Sequence, residues 1–360
     1  ASAGSTLGVG PLVYHDHLVD DDNSGQSSGN GDGIANPGET IELTVSLRNS
    51  GTVDALAATA CISTSSPYVH FPDNMCSDYP TIPGGDIEQN LNVVELAVSP
   101  CVPRGHVIHF DLDITAAEGG PWTDSFDLPV VRSSPAAHVA LISDWTALQS
   151  VTPTLAGMGL TYDLLNDNWD GEQGIYTSDI EFLRHYCVVL WYASGDGLGR
   201  LITTEESGAL EQYLRTGGRL LATGYDTLGD PDDPQMADLV RSSSYGDGPD
   251  TEDYAITDGE HPITDGPYGW FPSGTALTAS HDDHDQAEAD TGQGAKTVAE
   301  LEGGRDKIIA TELPSGGIVV YWNGNLHASD WTTPVRSQPE GQPDARAKLL
   351  DTAALRDGYI

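Results

Sequence analysis

The pattern of apolar residues changes once along this 360-residue chain, and that change constrains its fold more than any other feature. Up to about residue 133 the chain is typical of short strands. Residues 40–47, for example, alternate polar and apolar side chains as a half-buried strand does. Clusters of Gly, Pro, Asn and Asp separate about seven such strands, which favours a β-sandwich. Residues 129–136 are typical of a linker, so we predict two domains, 1–133 and 134–360.

Beyond the linker, compact apolar strands alternate with helical segments. Residues 187–193 are apolar on both faces. Residues 203–215 are amphipathic, begin near a capping box and end at Gly217-Gly218. This alternation favours a parallel sheet with helices on both faces. The long acidic stretch 225–305 is loop-rich and its pattern does not order it. Two further predictions are a late hairpin at 308–312 and 317–322 and a closing helix at 348–355.

The charge balance limits the partners that the chain can bind. It has 55 acidic and 15 basic residues, only three of them lysines, and a formal net charge of −40. Such a surface repels nucleic acid and anionic lipid and attracts cations, basic proteins or calcium. It also suits plain solubility or a salt-rich habitat, and the sequence leaves these alternatives open. Since it has no run of 18 apolar residues, we expect no membrane span.

The four cysteines indicate whether the chain lies in an oxidising or a reducing compartment. No C-x-x-C pair occurs, which disfavours a zinc ribbon or a thioredoxin-type site. We expect one disulfide in the first domain, with Cys61–Cys76 as first choice, although sequence leaves the pairing among Cys61, Cys76 and Cys101 open. Cys187 lies in an apolar run and is predicted to be a buried free thiol. The sequence begins at Ala1 without a signal peptide, so it could be a mature form whose leader was removed. We expect a secreted protein because the chain is rich in Gly, Ser, Thr, Asn and Asp and carries a long acidic glycine loop that needs calcium at extracellular levels.

The strongest chemical signal lies in residues 20–39, an acidic loop with Asn-Gly-Asp-Gly followed by Asn-Pro-Gly-Glu. Calcium takes six to eight oxygen ligands, and glycines let a loop wrap tightly around the ion. Spacing and flanks differ from an EF-hand. A solvated acidic turn is the alternative. The predicted calcium ligands are Asp21, Asp22, Asn30, Asp32 and Glu39, with the carbonyl of Ile34.

The same loop, continued by 40–43, 47–51 and 63–69, resembles an Ig-like module of secreted bacterial proteins. Such modules often accompany exported peptidases of the gingipain and immune-inhibitor types. The resemblance covers most of residues 12–130. It implies an Ig-like β-sandwich, calcium and export, and it does not imply catalysis.

The second domain resembles glutamine-amidotransferase-like domains through residues 186–192, 201–221, 261–263 and 316–321. The resemblance covers about 138–357. It implies a three-layer α/β domain of the flavodoxin-like fold and says little about activity. Active members carry a cysteine in a strand-to-helix elbow and a later His–Glu pair. Here the strand ends at Ala193-Ser194-Gly195 and no His-x-Glu follows, which makes amidotransferase chemistry unlikely.

A serine hydrolase is the catalytic alternative. Ser194 would be the nucleophile, His327 its base, and Asp226 or Asp330 would orient the histidine. The G-x-S-x-G elbow is missing, so a glycine-rich loop is the favoured interpretation. The crevice at this sheet edge remains the default ligand site, lined by Asp144, Trp145, Ser194, Asp196, Tyr225, Asp226 and His327.

Two histidine clusters are candidate metal sites. Residues 281–285 carry metal-binding side chains, but consecutive residues cannot all face one ion, so we interpret them as an acidic loop. His15 and His17 are predicted to share one face of a strand, where a polar surface is the simpler interpretation.

The sequence supports a non-catalytic, calcium-stabilised extracellular module that could self-associate or bind another extracellular protein. An accessory fragment of a secreted peptidase and a hydrolase are the alternatives. Carbohydrate is a possible ligand, because Trp145, Trp169, Trp191 and Tyr225 could stack on sugars, although buried aromatics are commoner.

Overall fold

The structure is a computed structural model that describes residues 8–131 and, beyond them, 139–143, 151–157, 160–166, 179–193, 202–224, 227–228, 233–247, 253–261, 264, 273–278, 285–301 and 304–323. The chain divides into two compact units, Ala1–Pro135 and Ala136–Ile360, which we call the N-terminal unit and the C-terminal unit.

The N-terminal unit consists of two antiparallel sheets. The first has the order β1-β2-β7-β4, with β6 also paired to β2, and the second has the order β5-β3-β8-β9. The strands are β1 Leu12–Asp20, β2 Thr40–Asn49, β3 Thr59–Ser63, β4 Val69–His70, β5 Cys76–Asp78, β6 Ile87–Gln89, β7 Val94–Val98, β8 Val107–Ala116 and β9 Gly119–Pro129.

The two sheets pack on one apolar core, as in a β-sandwich. Strand β8 shows why: Ile108, Phe110, Leu112 and Ile114 are buried, whereas the residues between them are exposed. Because successive side chains of a strand point to opposite faces, this alternation gives one apolar face and one wet face. The predicted β-rich first domain is therefore confirmed at this level, while its Ig-like character stays a prediction.

A disulfide joins Cys61 of β3 to Cys76 of β5, as predicted. The two cysteines lie directly opposite each other in the β3–β5 ladder. The segment between them includes β4, which pairs with β7 in the other sheet, so the disulfide closes a loop that crosses the sandwich and returns. The prediction of a free thiol at Cys187 is wrong, because this cysteine is disulfide-bonded.

Removing the crossover disulfide is expected to destabilise the fold through the unfolded state. The bonded cysteines are 15 residues apart, and closing a loop of that length contributes about 3 kcal/mol. We expect the double variant Cys61→Ala/Cys76→Ala to lose roughly that much in urea unfolding. Ser63→Ala, an exposed change in β3, is the control and should cost less than about 0.5 kcal/mol. An unchanged midpoint in the double variant would contradict this account.

An irregularity in β1 forms a seam between the two sheets. The β1–β2 register skips His15, which leaves Tyr14 and His17 in contact, with Tyr14 Oη 2.7 Å from His17 Nδ1. The Tyr14 ring stacks on Phe126 of β9 at a centroid distance of 5.0 Å, and the His17 ring lies 5.1 Å from Phe126. Burial lowers the pKa of His17, and the charge of Asp16 opposes that shift. His15 is exposed, whereas His17 is half-buried against Phe126, so the two histidines have different surroundings.

The seam predicts acid sensitivity with a definite sign. A histidine whose pKa is lowered on folding binds fewer protons folded than unfolded, so stability falls as pH drops below the ordinary value of 6.5. We expect His17→Gln to remove this contribution, so the stability of wild type relative to the variant should fall between pH 7 and pH 5.

His109 provides a control of opposite sign. Its hydrogen bond to Asp127 raises its pKa, so its stabilisation is present in acid and is lost as pH rises through that pKa. The stability of wild type relative to His109→Gln should therefore rise towards acid. Equal slopes for both variants in pH-dependent urea unfolding would refute both assignments.

The C-terminal unit is built on a sheet of eleven strands. Its main order is β11-β10-β12-β13-β20-β19-β18-β15-β16, with β17 paired to β14 and β19. The strands are β10 Val139–Ser143, β11 Tyr162–Asn166, β12 Val188–Ala193, β13 Arg219–Gly224, β14 Ser242–Asp247, β15 Asp253–Ile256, β16 Ala276–Thr278, β17 Asp285–Ala289, β18 Lys296–Leu301, β19 Asp306–Glu312 and β20 Ile318–Trp322.

The predicted flavodoxin-like three-layer domain is wrong. Only β11, β10, β12, β13 and β20 pair in parallel, and the remaining strands of the sheet pair antiparallel. The described helices are α1 Val151–Gly157, α2 Ile180–Leu183, α3 Thr204–Arg215 and α4 Pro234–Leu239, of which only α3 exceeds seven residues. The acidic stretch that the sequence left unordered supplies β14 to β18, so the unit is mainly β-sheet. The predicted late hairpin is confirmed as β19 and β20, whereas the predicted closing helix lies outside the described residues.

Helix α3 is capped as the sequence predicts. Thr203 Oγ1 accepts from the Glu206 N–H, and Glu206 Oε2 accepts from the Thr203 N–H. At its other end the buried Tyr213 hydroxyl donates to the Cys187 carbonyl at 2.7 Å. Gly218 lies against the Tyr213 ring, where an added Cβ would approach to 2.4 Å.

None of the described helices is long and apolar enough to cross a membrane.

Candidate functional site

The acidic loop between β1 and β2 is organised around the carboxylate of Asp21. Its side chain is 1% exposed. Oδ2 accepts from the N–H groups of Gly31 at 2.9 Å and Asp32 at 3.3 Å, and Oδ1 accepts from Gly33 at 2.9 Å. Positive φ values at Gly31 and Gly33 turn these N–H groups towards one point, forming a backbone concavity that favours an anion. Asp21 supplies that anion from within the chain.

Glu39 closes the other side of the loop. It is 2% exposed, and its Oε1 accepts from the Asn30 N–H at 3.2 Å while its Oε2 accepts from the Asn36 N–H at 2.8 Å. Gly29 lies between the two carboxylates, and an added Cβ there would lie 2.7 Å from Asp21 Cβ and 3.0 Å from Glu39 Cδ. The two buried carboxylates together accept five backbone N–H bonds, which satisfies their charge inside the fold.

The other four predicted ligands lie on the exposed side of the loop. The Oδ1 atoms of Asp22, Asn30 and Asp32 each accept from the N–H two residues later, at 2.9 Å in every case. These local bonds engage one oxygen of each side chain, and all three residues are exposed. The carbonyl of Ile34 accepts from the Asn36 side chain at 2.6 Å.

The donor set fits calcium in part. No group of three or more His, Cys, Asp or Glu side chains gathers closely enough to hold a metal ion in the part of the chain that the structure describes. A calcium ion would therefore need the Asn30 amide, backbone carbonyls and water beside the Asp22 and Asp32 carboxylates. All of these are the hard oxygen ligands that calcium prefers. Asp21 and Glu39 would hold the loop rather than the ion.

The sequence does not separate the buried carboxylates that organise the loop from the exposed candidate ligands. It also does not single out Glu42. Glu42 Oε1 accepts from the Gln26 N–H at 3.1 Å, and an added Cβ on Gly25 would lie 2.8 Å from that carboxylate. A signal was available, because Glu42 lies on β2 two residues after the start of the strand, on the face opposite Ile41 and Leu43. The face of a strand residue follows from the period of two.

Most of the remaining candidates lie outside the described residues. These are Ser194, Asp226, His327 and Asp330 of the hydrolase hypothesis, the crevice residues Asp144, Trp145, Asp196 and Tyr225, Trp169, and residues 281–284 of the histidine cluster. Asp285 is described and buried, and its Oδ2 accepts from the Leu228 N–H at 2.8 Å. Trp191 is 5% exposed in the core, so it does not offer a surface for a sugar.

Comparisons with known proteins assign no family. No family model and no curated protein matches the chain. A ThuA-like protein from Bacteroides uniformis is 13% identical with a TM-score of 0.40, covering 62% of this chain and 92% of that one. The N-terminal domain of mmIFT52 is 12% identical with a TM-score of 0.38, covering 59% and 94%. A CARDB domain from Pyrococcus furiosus, in complex with di-metal ions, is 12% identical with a TM-score of 0.21, covering 36% and 95%. These similarities are too low to assign a fold or a function.

Two adjacent aspartates should respond very differently to substitution. Asp21→Ala leaves the Gly33 N–H without its acceptor in a buried site and removes one of the two acceptors of the Gly31 and Asp32 N–H groups, so we expect a loss of about 2 kcal/mol or more. Asp22→Ala, the matched control, removes an exposed local bond and should cost under about 1 kcal/mol. Urea unfolding in excess chelator checks both values without any contribution from metal. Similar losses in the two variants would show that Asp21 does not organise the loop.

Proposed function

We propose that this chain is a non-catalytic extracellular module whose N-terminal unit binds calcium at the loop of residues 20–39. The observation that carries the proposal is the division of the loop into two sides. Backbone bonds to Asp21 and Glu39 fix its inner side. The oxygens of Asp22, Asn30 and Asp32 occupy its exposed side, where an ion could reach them from solvent.

The charge of the N-terminal unit also supports a cation. Its 135 residues include 18 acidic and three basic side chains, and no Lys or Arg precedes Arg48. Cationic side chains are therefore absent from the sequence around the loop. A divalent ion would relieve the repulsion among Asp20, Asp22 and Asp32 at short range, where ordinary salt acts only by screening.

The disulfides support the extracellular part of the proposal. All four cysteines are oxidised, and disulfides of this kind persist in secreted and periplasmic proteins. Calcium is abundant outside cells, so a site of modest affinity would still fill there. Two carboxylates and neutral ligands place the expected dissociation constant at about 10⁻⁴–10⁻³ M, the range of extracellular modules.

Thermal unfolding tests the calcium site directly. With a dissociation constant of about 1 mM, 10 mM calcium should stabilise the N-terminal unit by about 1.4 kcal/mol, a midpoint rise of several degrees. The reference sample contains chelator and NaCl at matched ionic strength, because monovalent salt alone should stabilise so acidic a chain. The double variant Asp22→Asn/Asp32→Asn should fold and lose the calcium response.

Two results would decide against the proposal. An equal midpoint in calcium and in matched salt would remove the metal site and return the loop to a solvated acidic turn. A full calcium response in the double variant would place the ion elsewhere. Light scattering on the same samples tests self-association, which requires a calcium-dependent rise in particle mass.

A further inference from the structure

The C-terminal unit buries a lysine, an asparagine and an aspartate on neighbouring segments of its sheet. Lys307 and Asn323 are 0% exposed and Asp285 is 1% exposed. Lysine is almost never fully buried without a specific reason, and this chain has only three lysines. Burial changes the reactivity of an amine, a carboxamide and a carboxylate, because water no longer solvates them.

The hairpin of β19 and β20 places the amine and the carboxamide opposite each other. Ile308 pairs with Trp322, and the Asn323 N–H continues that ladder by donating to the Lys307 carbonyl at 2.9 Å. Directly opposite residues project to the same face with Cβ atoms about 5 Å apart, well within the reach of a lysine side chain. Lys307 Nζ also lies 5.6 Å from the centre of the buried Tyr254 ring.

Asp285 adjoins the same carboxamide. Strand β17 meets β19 at Ala287 and Asp306, which brings Asp285 beside the start of the hairpin. Asn323 Nδ2 donates to the Asp285 carbonyl. The Asp285 side chain is held in place, because its Oδ2 accepts from Tyr321 Oη at 3.0 Å and from the Leu228 N–H at 2.8 Å.

The carboxamide oxygen of Asn323 is the unusual atom of these three side chains. Among the described residues it has no hydrogen-bond donor, although it is fully buried. A buried carbonyl without a donor costs about 1–3 kcal/mol and calls for an explanation. An oxygen in this state can accept a proton donor, which would polarise the carbonyl and make Cγ more electrophilic.

We propose that Lys307 and Asn323 form an intramolecular isopeptide bond, assisted by Asp285. Water-free burial brings an ammonium–carboxylate pair close in free energy to the neutral amine and carboxylic acid. The neutral Lys307 amine attacks Cγ of Asn323, and a new C–N bond forms. The Asp285 carboxyl group takes a proton from the attacking nitrogen and gives one to Nδ2. The Cγ–Nδ2 bond breaks, one ammonia leaves, and Asp285 returns to its starting state.

This bond would link the two strands of the β19–β20 hairpin covalently, and reductants would not cleave it. It lies in the C-terminal unit and does not depend on calcium, so its test is independent of the proposed function. The inference concerns a modification made by the folded chain itself, without a cofactor or a second substrate.

Mass spectrometry of the reduced, denatured full chain tests the proposal. The protein should weigh less than its sequence by one ammonia, and trypsin should leave the Lys307–Ile308 bond uncut. Fragmentation of the 306–336 peptide should show a closed segment from Lys307 to Asn323. Sequence mass together with cleavage after Lys307 would overturn the proposal.

Variants separate this bond from a simpler ammonia loss. Asn323 precedes Gly324, and an Asn-Gly pair can lose ammonia by forming a succinimide without any lysine. Lys307→Met and Asp285→Asn should both have the full sequence mass, with Asp285→Asn cleaved again after Lys307. Ammonia loss that persists in Lys307→Met would identify the succinimide and refute the isopeptide bond. If a variant fails to fold by circular dichroism, cleavage after Lys307 in the wild-type chain still decides.

Discussion

A carboxylate buried without a basic partner must be satisfied by the backbone, and Asp21 imposes this condition on the loop that joins β1 to β2. Three N–H groups converge on it, and two glycines with positive φ make their convergence possible. Burying an ionised carboxylate is costly unless such donors are present. The path of the chain through 29–33 is thus fixed by one side chain that precedes it by about ten residues.

The exposed side of the loop follows from the inner side. Once Gly31 and Gly33 turn their amides inward, the side chains of Asn30 and Asp32 are directed outward and settle into bonds with the next residue but one. The proposed calcium site therefore depends on a frame that needs no metal. In that account an ion adds modest stability to a loop already shaped for it, which agrees with the affinity expected of extracellular modules.

Some of the molecule could be predicted from sequence, and particular residues show why. Strand β8 and the α3 capping box rest on local periodicity, and the sequence predicts both. The sequence also favours the Cys61–Cys76 pair over the other pairings of the first domain, and the structure contains it. Asp21 and Asp22 show the limit, because adjacent identical residues differ in burial and therefore in role. The sequence predicts a free thiol at Cys187, because an apolar run around a cysteine does not show whether that cysteine is bonded.

The C-terminal unit shows a second limit. Its parallel strands can be predicted from the sequence, because strands that are buried on both faces form apolar runs. Strands such as β14, with the sequence SSSYGD, and β17, with DQAEA, lack such a run and are held mainly by pairing with each other and with β19. Because apolar runs mark only the parallel strands, the sequence predicts a three-layer α/β domain. The sheet of the structure continues into antiparallel strands that carry no such runs.

Hydrogen exchange at the loop amides in excess chelator tests the central claim most directly. If buried carboxylates organise the loop, the amides of Gly31, Gly33 and Asn36 should be protected without metal, and Asp21→Ala should remove the protection at Gly33. The exposed amide of Ser24, bonded to Asp22, provides a reference for a weakly held group. Exchange of all these amides at the rate of an unstructured chain until calcium is added would contradict the account.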